Sequence, residues 1–213
     1  MKRFVILFAL MLACSGMGRL SAGTLINSQA GLSVCIYNEL GTGCAATGET
    51  VAVTPHPLWQ PNFTDAVWIS YQGSGYGDGD FQPYKGTTPV FAVEHKFYAG
   101  AGSLFQLQVW ADDTAGVFLD GVELKAPVFT QSICSGQAIG CVPADAGNFS
   151  FNLTESKEYT LRFDVYQVGT GGDTTSNPMG LLYRGSVPDG GTTLILLGGA
   201  LIGLETLRRR SRR

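Results

Sequence analysis

Between Leu104 and Trp110 the side chains change character at every step. Phe105, Leu107 and Val109 alternate with Leu104, Gln106, Gln108 and Trp110. The same beat returns where Leu161, Phe163, Val165 and Gln167 alternate with Arg162, Asp164 and Tyr166. A period of two places each set on one face of an extended chain, so these segments are strands with one face toward a core. Nothing between Gly23 and Ser186 carries the 3.6-residue periodicity of an amphipathic helix. Short runs rich in Val, Phe, Tyr, Trp and Thr recur instead, bounded by Gly, Pro, Asn and Asp. They predict strands over 32–37, 50–54, 66–71, 90–98, 104–111, 116–119, 148–153, 159–168 and 180–187. The span is long enough for one domain with a substantial core, and no second-domain linker or repeat interrupts it. The expected fold is all-β, a single β-sandwich or jelly roll over residues 23–186.

The two ends are of a different kind. Lys2-Arg3 precede an apolar run from Phe4 to Ala13, and Leu20-Ser21-Ala22 offer a small-residue cleavage site before Gly23. That order describes a secretory signal peptide over residues 1–22. Met11-Leu12-Ala13-Cys14 also approaches a lipoprotein cleavage site, which leaves two modes of processing open. At the other end Val187-Pro188-Asp189-Gly190 form a turn-like motif, followed by an apolar stretch over 192–207. As a helix that stretch rises about 24 Å, slightly less than the ~30 Å core of a bilayer. Arg208, Arg209, Arg210, Arg212 and Arg213 follow as a basic stop that favours the cytoplasmic side. Their long side chains can reach the headgroups and offset the mismatch.

Motif, short transmembrane helix and arginine cluster, in that order over 187–213, resemble the C-terminal sorting signal of PEP-CTERM proteins in its VPDSG-type variant. Val187, Pro188 and Asp189 match, and Gly190 stands where the main family carries its second proline. The resemblance implies an exosortase-type sorting peptidase as partner. It also implies a precursor held transiently in the inner membrane, cleavage near the motif, and delivery to the cell surface or extracellular matrix.

Setting the ends aside changes the charge. From Gly23 to Asp189 there are six basic residues against sixteen acidic ones, a net charge of -10 where the whole chain has -3. Such a body has no basic face for phosphates, which excludes nucleic acid as a partner. It suits a soluble exterior protein or one that takes up cations. Once Cys14 leaves with the signal peptide, Cys35, Cys44, Cys134 and Cys141 remain, an even number in an oxidising setting. Of the three pairings, Cys35–Cys44 and Cys134–Cys141 are favoured because each closes a short, glycine-containing loop. The spacing lacks the close Cys-x-x-Cys pairs of a zinc site.

Residues 109–124 read as strand, acidic turn, strand, Asp-Gly turn, strand. Asp120-Gly121 suits a tight hairpin, where glycine accepts a positive φ. Asp112-Asp113 place two carboxylates on one connection, and hard oxygen ligands of this kind select Ca²⁺. Asp112, Asp113 and Asp120 are therefore the candidate metal ligands, and Ca²⁺ is the one cofactor suggested. The plainer reading is that these residues cap turns through side-chain to backbone hydrogen bonds. The hairpin resembles the "DD…DG" hairpin of protective-antigen-like sugar-binding domains, which implies Ca²⁺ held against a glycan.

Asp78 and Asp80 form a weaker acidic loop. Trp59, Trp68, Tyr71, Tyr76 and Tyr84 offer either a stacking face for sugar rings or core packing. An enzyme is hard to assemble from this inventory: the histidines are His56 and His95 alone, with no metal-binding spacing, nucleophile elbow or phosphate loop. The expectation is a non-catalytic surface or matrix protein associated with exopolysaccharide and biofilm. The alternatives are a Ca²⁺-dependent, lectin-like carbohydrate-binding module and a secreted glycoside hydrolase. The last would need a carboxylate pair such as Glu94 and Asp164.

Overall fold

Strand-forming residues with alternating faces can be stable only if their apolar faces meet, and two antiparallel sheets do this here. The computed structural model describes residues 23–38, 40–78, 86–130, 138–168, 177–188, 203–205 and 208–210. Through them run β1 Thr24–Asn27, β2 Ser33–Tyr37, β3 Cys44–Glu49, β4 Val51–Ala52, β5 Ile69–Ser70 and β6 Phe91–Ala99. There follow β7 Leu104–Asp112, β8 Thr114–Leu119, β9 Val122–Lys125, β10 Gly147–Asn152, β11 Lys157–Tyr166 and β12 Gly180–Val187. Sheet 1 has the order β10-β7-β12-β5-β4, with β1 also on β12; sheet 2 has the order β3-β2-β6-β11-β8-β9. The chain is all-β with two sheets, as the alternation predicts.

One set of each predicted alternation faces inward. Phe105, Leu107 and Val109 of β7 and Leu161, Phe163 and Val165 of β11 are buried. Aromatic pairs join the sheets: Phe97 of β6 stacks on Phe105 at 5.6 Å, and Phe163 on Tyr183 of β12 at 4.3 Å between ring centroids. Fully burying one such ring contributes about 1.5–3 kcal/mol. The Tyr183 hydroxyl meets His95 Nδ1 at 2.9 Å, so its polar end is also satisfied within the core. A second cluster lies on the outer face of sheet 1, where Val53, Trp59, Ala66 and Trp68 cover Trp110 and Leu182.

Trp59 and Trp68 are thus packing residues, and Tyr71 packs on Phe91. Tyr76 is exposed against His56, while Tyr84 lies outside the described residues.

Some predicted elements differ from the observed ones. The strands expected over 50–54 and 66–71 shrink to β4 and β5, two residues each, because loop bonds take the rest of their backbone. Trp68 N–H, for instance, donates to Asn62 Oδ1. β1 and β3 carry no alternating signal; β3 is an edge strand exposed at every position. A disulfide between Cys35 and Cys44 (Cα–Cα 5.3 Å) ties that edge to β2. Cys141 is buried and disulfide-bonded, and Cys134 lies outside the described residues.

So do the signal peptide and most of the 192–207 segment. Residues 203–205 and 208–210 are helical, with Arg209 Nε 3.0 Å from Glu205 Oε1. Among the described residues no helix is long and apolar enough to cross a membrane.

Candidate functional site

The antiparallel register sets one polar row across four strands. Asn148 of β10 faces Gln108 of β7, Gln108 faces Arg184 of β12, and Arg184 faces Asn27 of β1. All four alternate with inward residues, so they project from the outer face of sheet 1. Three of these side chains are linked: Arg184 Nε donates to Gln108 Oε1 at 2.9 Å, and Gln108 Nε2 to Asn148 Oδ1 at 3.0 Å. Asn148 Nδ2 then donates to the Ala146 carbonyl at 2.9 Å, while Asn27 Nδ2 donates to Asp65 Oδ2 at 3.0 Å. The Arg184 guanidinium lies 3.8 Å over the Phe63 ring, which holds its fork in place. Gln106 and Ser186 make the adjacent row, and a groove of about 500 Å³ runs over both. Amides and a guanidinium held in a plane offer donors and acceptors matched to hydroxyl pairs on a sugar ring.

The Asp112-Asp113 pair sits where the chain leaves β7 in sheet 1 and enters β8 in sheet 2, joined by a cis peptide bond. Both side chains are buried. Asp113 Oδ2 accepts the Val168 N–H at 2.7 Å, and the Asp113 N–H donates to the Tyr166 carbonyl at 3.1 Å. The carboxyls of Asp112 and Asp113 hydrogen-bond each other. Burial, and next the charge of Asp113, hold the Asp112 carboxyl well above the usual carboxylate range, against a hydrogen bond from Trp59.

Asp120 is elsewhere. It occupies the turn at the far end of β8, about 20 Å along an extended strand from the pair. There its Oδ1 accepts the Thr160 N–H at 2.8 Å and its Oδ2 meets Lys157 Nζ at 3.0 Å. With φ of 50° at Asp120 and 78° at Gly121, the turn has the geometry that the Asp-Gly pair predicts. The structure thus brings two of the three candidate ligands together and not the third. Among the described residues no group of three or more His, Cys, Asp or Glu side chains is placed to hold a metal. Asp78 serves its own loop, accepting the N–H groups of Thr54 and Gly75; Asp80 lies outside the described residues.

The outer face of sheet 2 carries a second groove, of about 740 Å³, beside the Cys35–Cys44 bridge. Glu94 and Asp164 share this face on neighbouring strands. Arg162 grips both oxygens of Asp164, at 2.8 and 3.1 Å, and also reaches the Tyr37 hydroxyl. Burial, and next the charge of Asp164, push the Tyr37 hydroxyl up to about 12.

The first and last strands of the sandwich meet in sheet 1. β1 pairs along the end of β12, Thr24 opposite Val187, and Gly23 lies against Val187 and Pro188. The sequence motif therefore starts inside the last strand. Residues 186–211 match the VPDSG-CTERM motif. Of its residues, Val187 is buried and Pro188 exposed, Arg208, Arg209 and Arg210 are exposed and helical, and Asp189 and Gly190 lie outside the described residues, as do Arg212 and Arg213 beyond its end.

No curated protein matches the chain. Several solved structures are similar in course, at identities and TM-scores too low to transfer a function. They include a family 35 carbohydrate binding module from Clostridium thermocellum, 11% identical with a TM-score of 0.38 over 78% of this chain and 98% of that one. A CBM35 from Paenibacillus barcinonensis is also 11% identical, with a TM-score of 0.34 over the same shares. A cycloisomaltooligosaccharide glucanotransferase from Paenibacillus sp. is 10% identical, with a TM-score of 0.36 over 79% of this chain but only 19% of that one.

Asn27, Asp65, Asn148 and Arg184 were not singled out by sequence reasoning. The signal existed only for Gln106 and Gln108, whose alternation places them on the outward face of β7.

Proposed function

We propose that this chain is an exported, non-catalytic surface protein that binds glycan across the outer face of sheet 1. The observation that carries the binding reading is the linked row Asn148, Gln108 and Arg184, with Asn27 next to it in register, under its groove. The VPDSG-CTERM match supports the route: export across the inner membrane, transient hold by 192–207 and the arginine stop, then cleavage by an exosortase-type peptidase. Exopolysaccharide of the producing cell is the glycan this route would bring within reach. The engagement of Asp164 by Arg162 and Tyr37 supports a non-catalytic body, because that carboxylate is already committed. A glycan array screened with the full chain in detergent tests the reading. Binding to at least one polysaccharide, lost on Gln108→Ala together with Arg184→Ala, is expected; an array blank for the wild type overturns it.

A second reading concerns Ca²⁺. Two buried carboxyls in contact favour it, since a hard divalent cation could displace the proton between them and bind oxygens of both. Asp112 and Asp113 would hold the ion and Asp120 would take no part. Millimolar Ca²⁺ should then raise the melting temperature of the wild type and leave Asp113→Asn unmoved. Equal shifts in both proteins, or none in the wild type, remove the reading.

A further inference from the structure

Both ends of the body meet at one point. The predicted mature terminus begins at Gly23, and a Cβ there would come within 2.6 Å of the Val187 carbonyl oxygen and 2.7 Å of Pro188 Cα. These are backbone atoms, which cannot swing aside, so only glycine fits so close to the motif. Four register pairs follow, from Thr24–Val187 to Asn27–Arg184, with Ile26 and Val187 both buried in the core. β12 is bonded along its other side to β7 from Gly180 to Ser186. A peptidase needs several residues extended and unpaired in its cleft, and a paired, buried strand supplies them only when it opens.

We infer that the mature amino terminus is a clasp on the sorting motif, and that the sorting peptidase therefore cuts C-terminal to Pro188 and leaves β12 whole. The inference rests on the sorting reading given above. In the cut, the peptide C–N bond breaks; its carbonyl carbon passes to water, and its nitrogen leaves as the amine heading the tail fragment. The first half of the motif stays in the mature body as the last rung of sheet 1. The same clasp supplies Leu25 and Asn27 to one wall of the groove, so an intact β12 also keeps the glycan face intact after processing.

The test is the mass of the C-terminal peptide of the full chain after maturation in a host that processes such tails, with an internal affinity tag. The wild type should end at Pro188 or later. Ile26→Asn, which loosens the clasp away from the signal-peptide junction, should raise products ending at or before Val187 at least tenfold. A wild-type terminus at or before Val187, with surface delivery intact, overturns the clasp and spares the sorting reading. An Ile26→Asn product identical to wild type also overturns it. If a chain lacking 192–213 is delivered and trimmed like the full chain, the sorting reading fails, and the clasp inference with it.

Discussion

Replacing Phe163 by Ala probes the junction between the sheets. Phe163 is 0% exposed and stacks on Tyr183 across the sandwich at 4.3 Å. Losing the transfer free energy of the ring costs about 1.5–3 kcal/mol, and the cavity left behind brings Phe→Ala to about 3–5 kcal/mol. The lost aromatic pair, about 0.5–1.5 kcal/mol, moves the expectation to the upper part of that range, about 4–5 kcal/mol. Domains have about 5–15 kcal/mol in total, so the variant folds with little margin and melts about 8–20 °C lower. Urea titration followed by intrinsic fluorescence reads this as a fall in midpoint at unchanged slope. Phe118→Ala is the control: Phe118 lies half-buried on the outward face of the neighbouring strand β8, and its loss should cost less than half as much. Equal losses for the two variants would refute the placement of the core between the inner faces.

Three further outcomes are expected. Burial lowers the pKa of His95 below its ordinary 6.5, so the folded protein keeps the ring neutral where the unfolded chain already takes up a proton. Stability is then full above 6.5 and falls with pH below it until the folded pKa is reached, at up to about 1.4 kcal/mol per pH unit; His95→Gln should flatten that part of the urea-midpoint profile, and an unchanged slope contradicts it. Opening the Cys35–Cys44 bridge, which spans a sequence separation of 9, should cost about 2.5 kcal/mol by the loop-entropy relation, read as a fall of about 5–10 °C in Cys35→Ser with Cys44→Ser. Tyr183→Phe should cost about 1–2 kcal/mol and lose that effect when combined with His95→Phe, because the hydrogen bond to His95 is then gone from both sides.

The sandwich was legible because its longest strands carry their own face pattern. β7, β11 and β12 were found within two residues of their ends, and the two alternating sets of β7 and β11 were named residue by residue, though not which of them faces the core. β3 was hidden because Cys44–Glu49 is a run of small and polar side chains on an exposed edge, where no alternation is imposed. β1 was hidden because four residues beside a signal sequence give too short a pattern, although they close sheet 1 on β12.

The candidate site was legible only in halves. Asp112 and Asp113 are neighbours in sequence and remain so in space, whereas Asp120, eight residues beyond Asp112, is carried to the other end of β8 by the rise of a strand. The row from Asn148 to Asn27 joins four strands far apart in sequence. It depends on register, which one strand's pattern does not specify.

The most direct measurement is calorimetric titration of the full chain, wild type and Arg184→Ala, with the exopolysaccharide of the producing cell. Arg184 is the strongest donor of the polar row and is pinned by Gln108 and Phe63. Charge-assisted hydrogen bonds contribute about 1.5–3 kcal/mol, so the variant should bind about 10- to 150-fold more weakly. Unaltered affinity in Arg184→Ala would contradict a glycan site on this face.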